Sequence, residues 1–341
     1  MLKKLPIDTF MLLLVATVLL ATLLPVSGGA AKFVSQFSYA AVALLFFLYG
    51  AKLEGRAIIA GMANWKLQLL IFATTFVLFP SLAYGLWFLI EPRLPQELAV
   101  GLIFLCILPS TVQSSIALTA MARGNVSAAI CATSLSNMLG VVLTPAFAAL
   151  LLSTHGPKLD ARSVVWICVQ LLLPFVVGHL LRPLIGKWIE RHKLLTSAVD
   201  RGSILLIVYS AFSAGVVAGI WGRLDAPTLA LLLAIDLGLL LLVMIIVRQL
   251  GKAVGLSRAD EVSLLFCGSQ KSLASGVPIA NILFAGHATG LIILPLMLYH
   301  QIQLFVCTAI AQRYATKAKL GAEAIAGAKA SEKVEMIECG G

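Results

Sequence analysis

The chain has 341 residues, 60% hydrophobic and only 12% charged, with a mean hydropathy of +1.00. Soluble domains carry roughly 25% charge. The apolar residues here run in long blocks instead of alternating with charge, which excludes a soluble globular domain. The formal charge of +10 would suit a nucleic-acid surface only if it were concentrated on one, and it is not.

Apolar blocks of about 18 residues or more read as membrane spans. Taken in chain order they are Ile7–Val26, Phe33–Leu53, Trp65–Ile90, Glu97–Ala122, Asn125–Ser153, Val164–Ile185, Ala198–Trp221, Pro227–Val247, Glu261–Phe284 and Ala288–Ala311. The expectation is an all-α, multi-pass integral membrane protein of ten helices. Lys3 and Lys4 before the first block resemble the start of a signal peptide, but the block exceeds the usual apolar length of about 7–15 residues, so it is read as a retained span. Loops are short, the longest being the basic stretch Gly186–Thr196. Of the 25 Lys and Arg, 19 fall on the side of the N-terminus and five (Lys32, Arg93, Lys158, Arg162 and Arg223) on the other, with Lys271 inside a span. That asymmetry is the positive-inside rule, which places both termini in the cytoplasm. The basic charge thus reports topology, and the partner it implies is the lipid bilayer, with no nucleic acid. Five of the six cysteines lie in spans and no CxxC pair occurs, so neither a disulfide framework nor a metal site is indicated.

Five spans precede His155 and five follow Arg162. A unit of five spans must re-enter the membrane upside down when repeated, which is the inverted repeat of many secondary transporters. The chain then divides into a transmembrane domain of residues 1–315, with repeats 1–155 and 160–315, and a tail of residues 316–341 that is either a fraying helix or disordered.

The fourth and ninth spans, which correspond under this division, are the ones with broken apolar character. The fourth carries Pro109-Ser110-Thr111-Val112-Gln113-Ser114-Ser115, the ninth Gly268-Ser269-Gln270-Lys271-Ser272 with Gly276 and Pro278. Proline removes a backbone donor and crowds the preceding turn. Irregular backbone survives in a membrane only where it is buried in protein or lines a cavity. Broken helices present N-termini to anions and carbonyl ends to cations, so two of them crossing near the midplane predict a small polar site. Each break taken alone could equally be an ordinary proline kink; their matched positions favour the site.

Lys271 lies ten residues inside its span, and Asp236 is as deep in the eighth. Such residues mark ion pathways or structural pairs, so Lys271 is read as an ion-coupling residue, with a plain Lys271–Asp236 pair as the alternative. Ala129, Thr133, Asn137 and Gly140 share one face of the fifth span, which fits helix packing as well as solute contact. Tyr299, His300, Gln301 and Gln303 form a polar patch in the tenth.

With those residues in hand, the chain resembles the bile acid:sodium symporter family. The run Pro109 to Pro145, with Ala122-Arg123-Gly124-Asn125 and Leu143-Thr144-Pro145-Ala146, looks like the family's fourth and fifth spans. Gly268-Ser269-Gln270-Lys271-Ser272 resembles its ninth-span crossover motif, and His300-Gln301 its tenth-span His-Asn pair. The likeness reaches about residue 315 and is nearest to the SBF-like branch of bacterial sodium-dependent transporters. It implies a core domain of spans 3–5 and 8–10 moving against a panel of spans 1, 2, 6 and 7, in a bacterial inner membrane. It also implies Na+ as the coupling ion, with Ser114, Ser115, Thr133 and Gln270 matching the family's sodium ligands. The pattern departs at two places: the family's ninth-span Glu falls on Phe266, and its Asn after the Gln falls on Lys271.

The expected function is therefore secondary active transport of a small organic anion by alternating access. Gln113, Ser114, Ser115, Thr133, Asn137, Gln270, Lys271, His300 and Gln301 are its candidate binding residues, with coupling to Na+ or, through Lys271, to H+. A cation/proton exchanger using Lys271 and Asp236 is the alternative. No catalytic spacing such as GxSxG or HExxH occurs, so an enzyme is not expected, and neither is a bound cofactor beyond the ion.

Overall fold

The computed structural model describes residues 9–52, 64–152, 161–219, 224–285 and 287–338, and among them every regular element is helical. The helices are α1 (Thr9–Leu23), α2 (Gly28–Lys52), α3 (Trp65–Ala73), α4 (Phe79–Ile90), α5 (Gln96–Ile107), α6 (Gln113–Met121), α7 (Val126–Leu152), α8 (Ala161–Arg191), α9 (Lys193–Val217), α10 (Ala226–Ala253), α11 (Arg258–Ser269), α12 (Leu273–Leu283) and α13 (Thr289–Glu338). Among the described residues, seven stretches are long and apolar enough to cross a membrane: α2, Trp65–Phe88, α7, Val169–Arg191, α9, α10 and Thr289–Thr316. The chain is an integral, multi-pass membrane protein.

Helices dominate because hydrocarbon offers no partner to backbone N–H and C=O groups, and the departures from regular helix each have a residue-level cause. The block expected at Glu97–Ala122 is two helices, α5 and α6, separated by residues 108–112, and the block expected at Glu261–Phe284 is α11 and α12, separated by residues 270–272. Trp65–Ile90, expected as one regular helix, is interrupted by a π-helical turn at Thr74–Leu78. Pro80 sits in the first turn of α4. It has no N–H for the Phe76 carbonyl and its ring crowds that group, and the wider π turn relieves both. The basic stretch Gly186–Thr196, expected as a loop, is helical apart from His192. The tail expected to fray or be disordered has helical backbone as far as Glu338.

Two groups of helices pack together. In one, α2 lies along α8 and α9, and α1 packs on α9. The approach of α2 to α8 is set by reciprocal glycines. A Cβ at Gly50 would stand 1.9 Å from the Phe175 carbonyl oxygen, and one at Gly178 would stand 2.0 Å from that of Phe47. In the second group, α11 packs against α3, α6, α7 and α10, while α13 packs against α5, α10 and α12. The groups meet where α7 touches α8 and where α12 and α13 touch α9. The cysteines Cys106, Cys131, Cys267 and Cys307 are buried; Cys339 lies outside the described residues, as do Lys3 and Lys4.

Candidate functional site

The two breaks cross and bond to each other. The Ser272 N–H donates to the Pro109 carbonyl at 2.9 Å, and the Thr111 hydroxyl donates to the Lys271 carbonyl at 2.9 Å. An interrupted helix leaves orphan carbonyls at its end, and here a run of them is satisfied by side chains or by the other break. The Lys271 ammonium donates to the Cys106 carbonyl at 2.9 Å and to that of Leu108 at 2.8 Å. The Thr144 hydroxyl takes the Ile107 carbonyl at 2.9 Å. Asn137 donates from Nδ2 to the Ser110 carbonyl at 2.7 Å and accepts the Ser275 hydroxyl on Oδ1, so one amide joins the two breaks. On the other strand of the crossing, Ser110 Oγ donates to the Cys267 carbonyl at 2.6 Å and Tyr299 Oη to that of Ser269 at 2.8 Å.

Gln303 holds the centre. Its Oε1 accepts the Lys271 N–H at 2.8 Å and its Nε2 donates to the Lys271 carbonyl at 3.0 Å, with His300 Nδ1 2.9 Å from the same nitrogen. The sequence places Gln303 in a polar patch but gives no sign of this role, because a helical side chain can be matched to a distant backbone only in three dimensions.

Lys271 is fully buried and is turned away from the cavity described below. Besides the two α5 carbonyls, its ammonium donates to the Thr75 carbonyl at 3.2 Å and lies 3.9 Å from the centre of the Phe79 ring, within cation–π range. Thr75 belongs to the π turn. The alternative Lys271–Asp236 pair is not formed: both Asp236 carboxyl oxygens are buried without a hydrogen-bond partner. The helix that carries Asp236, α10, packs against α11 and α13.

Of the residues matched to sodium ligands, Ser114 lines the cavity, whereas Ser115, Thr133 and Gln270 lie behind it. Ser114 and Ser115 both donate to Gln270 Oε1, at 2.7 and 3.0 Å. The Thr133 hydroxyl donates to the Ala129 carbonyl of its own helix at 2.8 Å. The Ser114, Ser115 and Gln270 side chains are neutral and bonded to one another, Phe266 is a buried phenyl, and Lys271 follows Gln270. Among the described residues no cluster of three or more His, Cys, Asp or Glu could hold a metal.

A cavity of about 660 Å³ lies between the two helix groups. Pro109, Gln113, Ser114, Asn137, Ser275 and His300 line its floor, and Tyr49, Phe175 and Ile204 its apolar wall. Lys52, Asp200 and Arg201 also line it, with Lys52 paired to Asp200 and the Arg201 guanidinium 5.6 Å from the Phe10 ring centre. The first turn of α6 has no side-chain cap, so its N–H groups and the positive end of the helix dipole are offered to whatever fills the cavity. Of the expected site residues, Gln113, Ser114, Asn137 and His300 line this space, whereas Ser115, Thr133, Gln270, Lys271 and Gln301 do not.

The Ala122-Arg123-Gly124-Asn125 motif has a different task. Arg123 adopts a left-handed φ of 58°. Asn125 Oδ1 accepts the Ala128 N–H at 3.0 Å, capping α7, while its Nδ2 donates to Asp260 at 2.9 Å. The motif clamps the α6–α7 turn onto the start of α11 and does not line the cavity.

The chain is similar to known proteins over most of its length. An uncharacterized protein of Pseudomonas aeruginosa, PA2026, is 51% identical over 324 residues, 94% of this chain and 97% of its own. The Escherichia coli protein named "Putative symporter YfeH" is 45% identical over 308 residues, 90% of this chain and 93% of its own. Sodium/bile acid cotransporter 7 of Rattus norvegicus is 30% identical over 316 residues, 90% and 92% of the two chains. The profile of the SBF-like CPA transporter family matches residues 8–316. With seven apolar helices among the described residues, two broken helices crossing under a cavity and this match across the chain, the protein belongs to the SBF-like CPA transporter family.

Proposed function

We propose that this protein is a secondary active transporter that moves an organic anion, a carboxylate or sulfated amphipath, by alternating access. The observation that carries the reading is the cavity: its walls are largely apolar, and its floor holds the uncapped N-terminus of α6 beside Gln113, Asn137 and His300. Apolar walls with a few convergent polar groups suit an amphipath, and a helix N-terminus favours its charged end. Arg201 adds a cation on the cavity side.

In this reading the membrane is crossed ten times. The crossings are α1, α2, the stretch from α3 to α4, α5 with α6, α7, α8, α9, α10, α11 with α12, and α13. They form two inverted repeats, residues 1–155 and 160–315. The helices α1, α2, α8 and α9 act as a panel against which the remainder moves, and that movement carries the floor from one face of the membrane to the other. Lys52, Arg201 and Gln312 line the cavity and lie on the side assigned to the cytoplasm by the positive-inside rule, so the cavity opens inward, in the inner membrane of a bacterium with both termini inside. The driving ion, Na+ or H+, acts at the crossing of the breaks.

Uptake into proteoliposomes tests this. A sulfated or carboxylated amphipath should be accumulated saturably and its neutral analogue should not. Gln113→Ala should weaken uptake about 10-fold, as expected for one hydrogen bond to a charged group. Equal uptake of the neutral analogue would refute the anion assignment. A second reading, a cation/proton exchanger without organic solute, is favoured by one observation, the buried and unpartnered Asp236 carboxyl on α10. It predicts that Na+ or K+ alone dissipates a pH gradient and that Asp236→Asn abolishes this.

A further inference from the structure

We propose that the Lys271 ammonium is a tethered cation filling a carbonyl-lined site at the C-terminal end of α5, so that it takes the place of a free sodium ion at the crossing.

The site has the make-up of a monovalent cation site. Three backbone carbonyl oxygens from two separate segments, Thr75, Cys106 and Leu108, converge on one point at 3.2, 2.9 and 2.8 Å. An ammonium has three N–H donors and no acceptor, so the three carbonyls use it completely. The fourth side is the face of Phe79, its ring centre 3.9 Å away, whose quadrupole attracts cations. Cys106 and Leu108 stand at the C-terminal end of α5, where the helix dipole is negative. The Thr75 carbonyl comes from the π turn before Pro80, which turns an irregularity of the third span into a ligand.

The position matters as much as the composition. Lys271 is the middle residue of the three-residue break between α11 and α12, and Gln303 grips its backbone on both the N–H and the C=O side. The charge is thus held by the break itself, reaching across to the end of the opposite broken helix. Among the described residues no carboxylate pairs with it: its partners are the three carbonyls, and the Asp236 oxygens make no hydrogen bond. The negative partners are backbone dipoles, as they would be for a bound ion. In the neutral cluster Ser114, Ser115 and Gln270 next to it, both hydroxyls donate to Gln270 Oε1, while Gln270 Nε2 is buried without a hydrogen-bond partner. A free cation taking Gln270 Oε1 as a ligand would compete with those two hydroxyls, beside a fixed positive charge. Lys271 therefore supplies in the chain what an ion would otherwise bring, and sodium is not needed to complete the crossing.

This deepens the transport reading by excluding sodium as its coupling ion, but the site can be tested without transport. The full chain is melted in detergent at fixed ionic strength, in NaCl and in choline chloride. The expected result for the native protein is the same melting temperature in both; a sodium-specific rise of several degrees would overturn the proposal. Lys271→Ala should melt lower, and n-propylammonium, which matches the deleted atoms, should restore part of the loss where tetramethylammonium at equal concentration does not. Loss without selective rescue, or no loss, would overturn the assignment. Lys271→Met keeps the volume and removes the charge, so it should also melt lower than the native chain, and a Met variant as stable as the native one would count against a cation site. Should neither variant fold, the sodium comparison on the native chain still decides. Anion uptake that persists when choline replaces sodium carries the inference into transport. Absence of any uptake would instead defeat the transport reading and leave the melting result standing.

Discussion

At the scale of single residues, the crossing is a closed account of backbone groups. Gln303 satisfies both the N–H and the C=O of Lys271, and a buried group left unpaired costs about 1–3 kcal/mol. Gln303→Leu should therefore destabilise the protein by about 2 kcal/mol or more, measured as a shift in denaturation midpoint in detergent. Asp236 makes the opposite prediction. Its carboxyl is buried without a hydrogen-bond partner, so Asp236→Asn, which keeps the shape and removes an ionisable group from an apolar site, should melt at or above the native temperature. A large loss of stability would reveal a partner for the carboxyl. Much of this residue-level chemistry was legible in the sequence. Pro109, Lys271 and the hydroxyl-rich breaks announced themselves, because polar groups in a membrane span need a reason. What could not be read was direction. Ser114 and Lys271 are both polar residues at a break, yet one lines the cavity and the other points into the protein. Thr133, matched to an ion ligand, bonds to its own helix, an option open to any threonine in a helix.

Among the elements, helix approach and helix ends carry the testable content. Gly50 and Gly178 bring α2 and α8 into backbone contact. Gly178→Ala would drive a methyl into the Phe47 carbonyl, and the helices must move apart; overpacking of this kind typically costs about 1–3 kcal/mol. The expected outcome is a lower melting temperature and poorer expression for Gly178→Ala, with no such effect at Gly238, where a Cβ meets nothing. At the start of α10, Asp225 caps the helix by accepting the Thr228 N–H at 3.0 Å. Side-chain and backbone hydrogen bonds from Thr228 hold its carboxyl below the ordinary carboxylate range. A lowered carboxyl pKa gives stability that is present above the unfolded-state pKa and is lost as pH falls through the folded-state value. Asp225→Ala should thus melt below the native chain at neutral pH, and the gap should narrow in acid. The breaks at α5–α6 and α11–α12 fall where proline and the polar runs put them. The π turn at Thr74–Leu78 escaped the sequence reading, because Pro80 in an apolar block permits a plain kink, a break or a widened turn, and only packing against the crossing selects among them.

For the molecule as a whole, two groups of helices enclose a cavity between them, one group built on α2 and α8 and the other carrying the crossing. Composition alone placed the chain in the membrane, since a block of apolar residues has no other comfortable solvent. The cavity was not legible, because its volume depends on how the two groups lean together, and that is set by contacts such as Tyr49 Oη donating to the Ala274 carbonyl at 3.3 Å. Alternating access requires that the cavity floor face each side of the membrane in turn. Ala117 lines the cavity, and a thiol there reports which side the floor faces. Ala117→Cys should react with a membrane-impermeant thiol reagent in both inside-out and right-side-out vesicles, and an anionic amphipath, but not its neutral analogue, should change the ratio of the two rates. Labelling from one side alone, unchanged by the anion, would contradict the account.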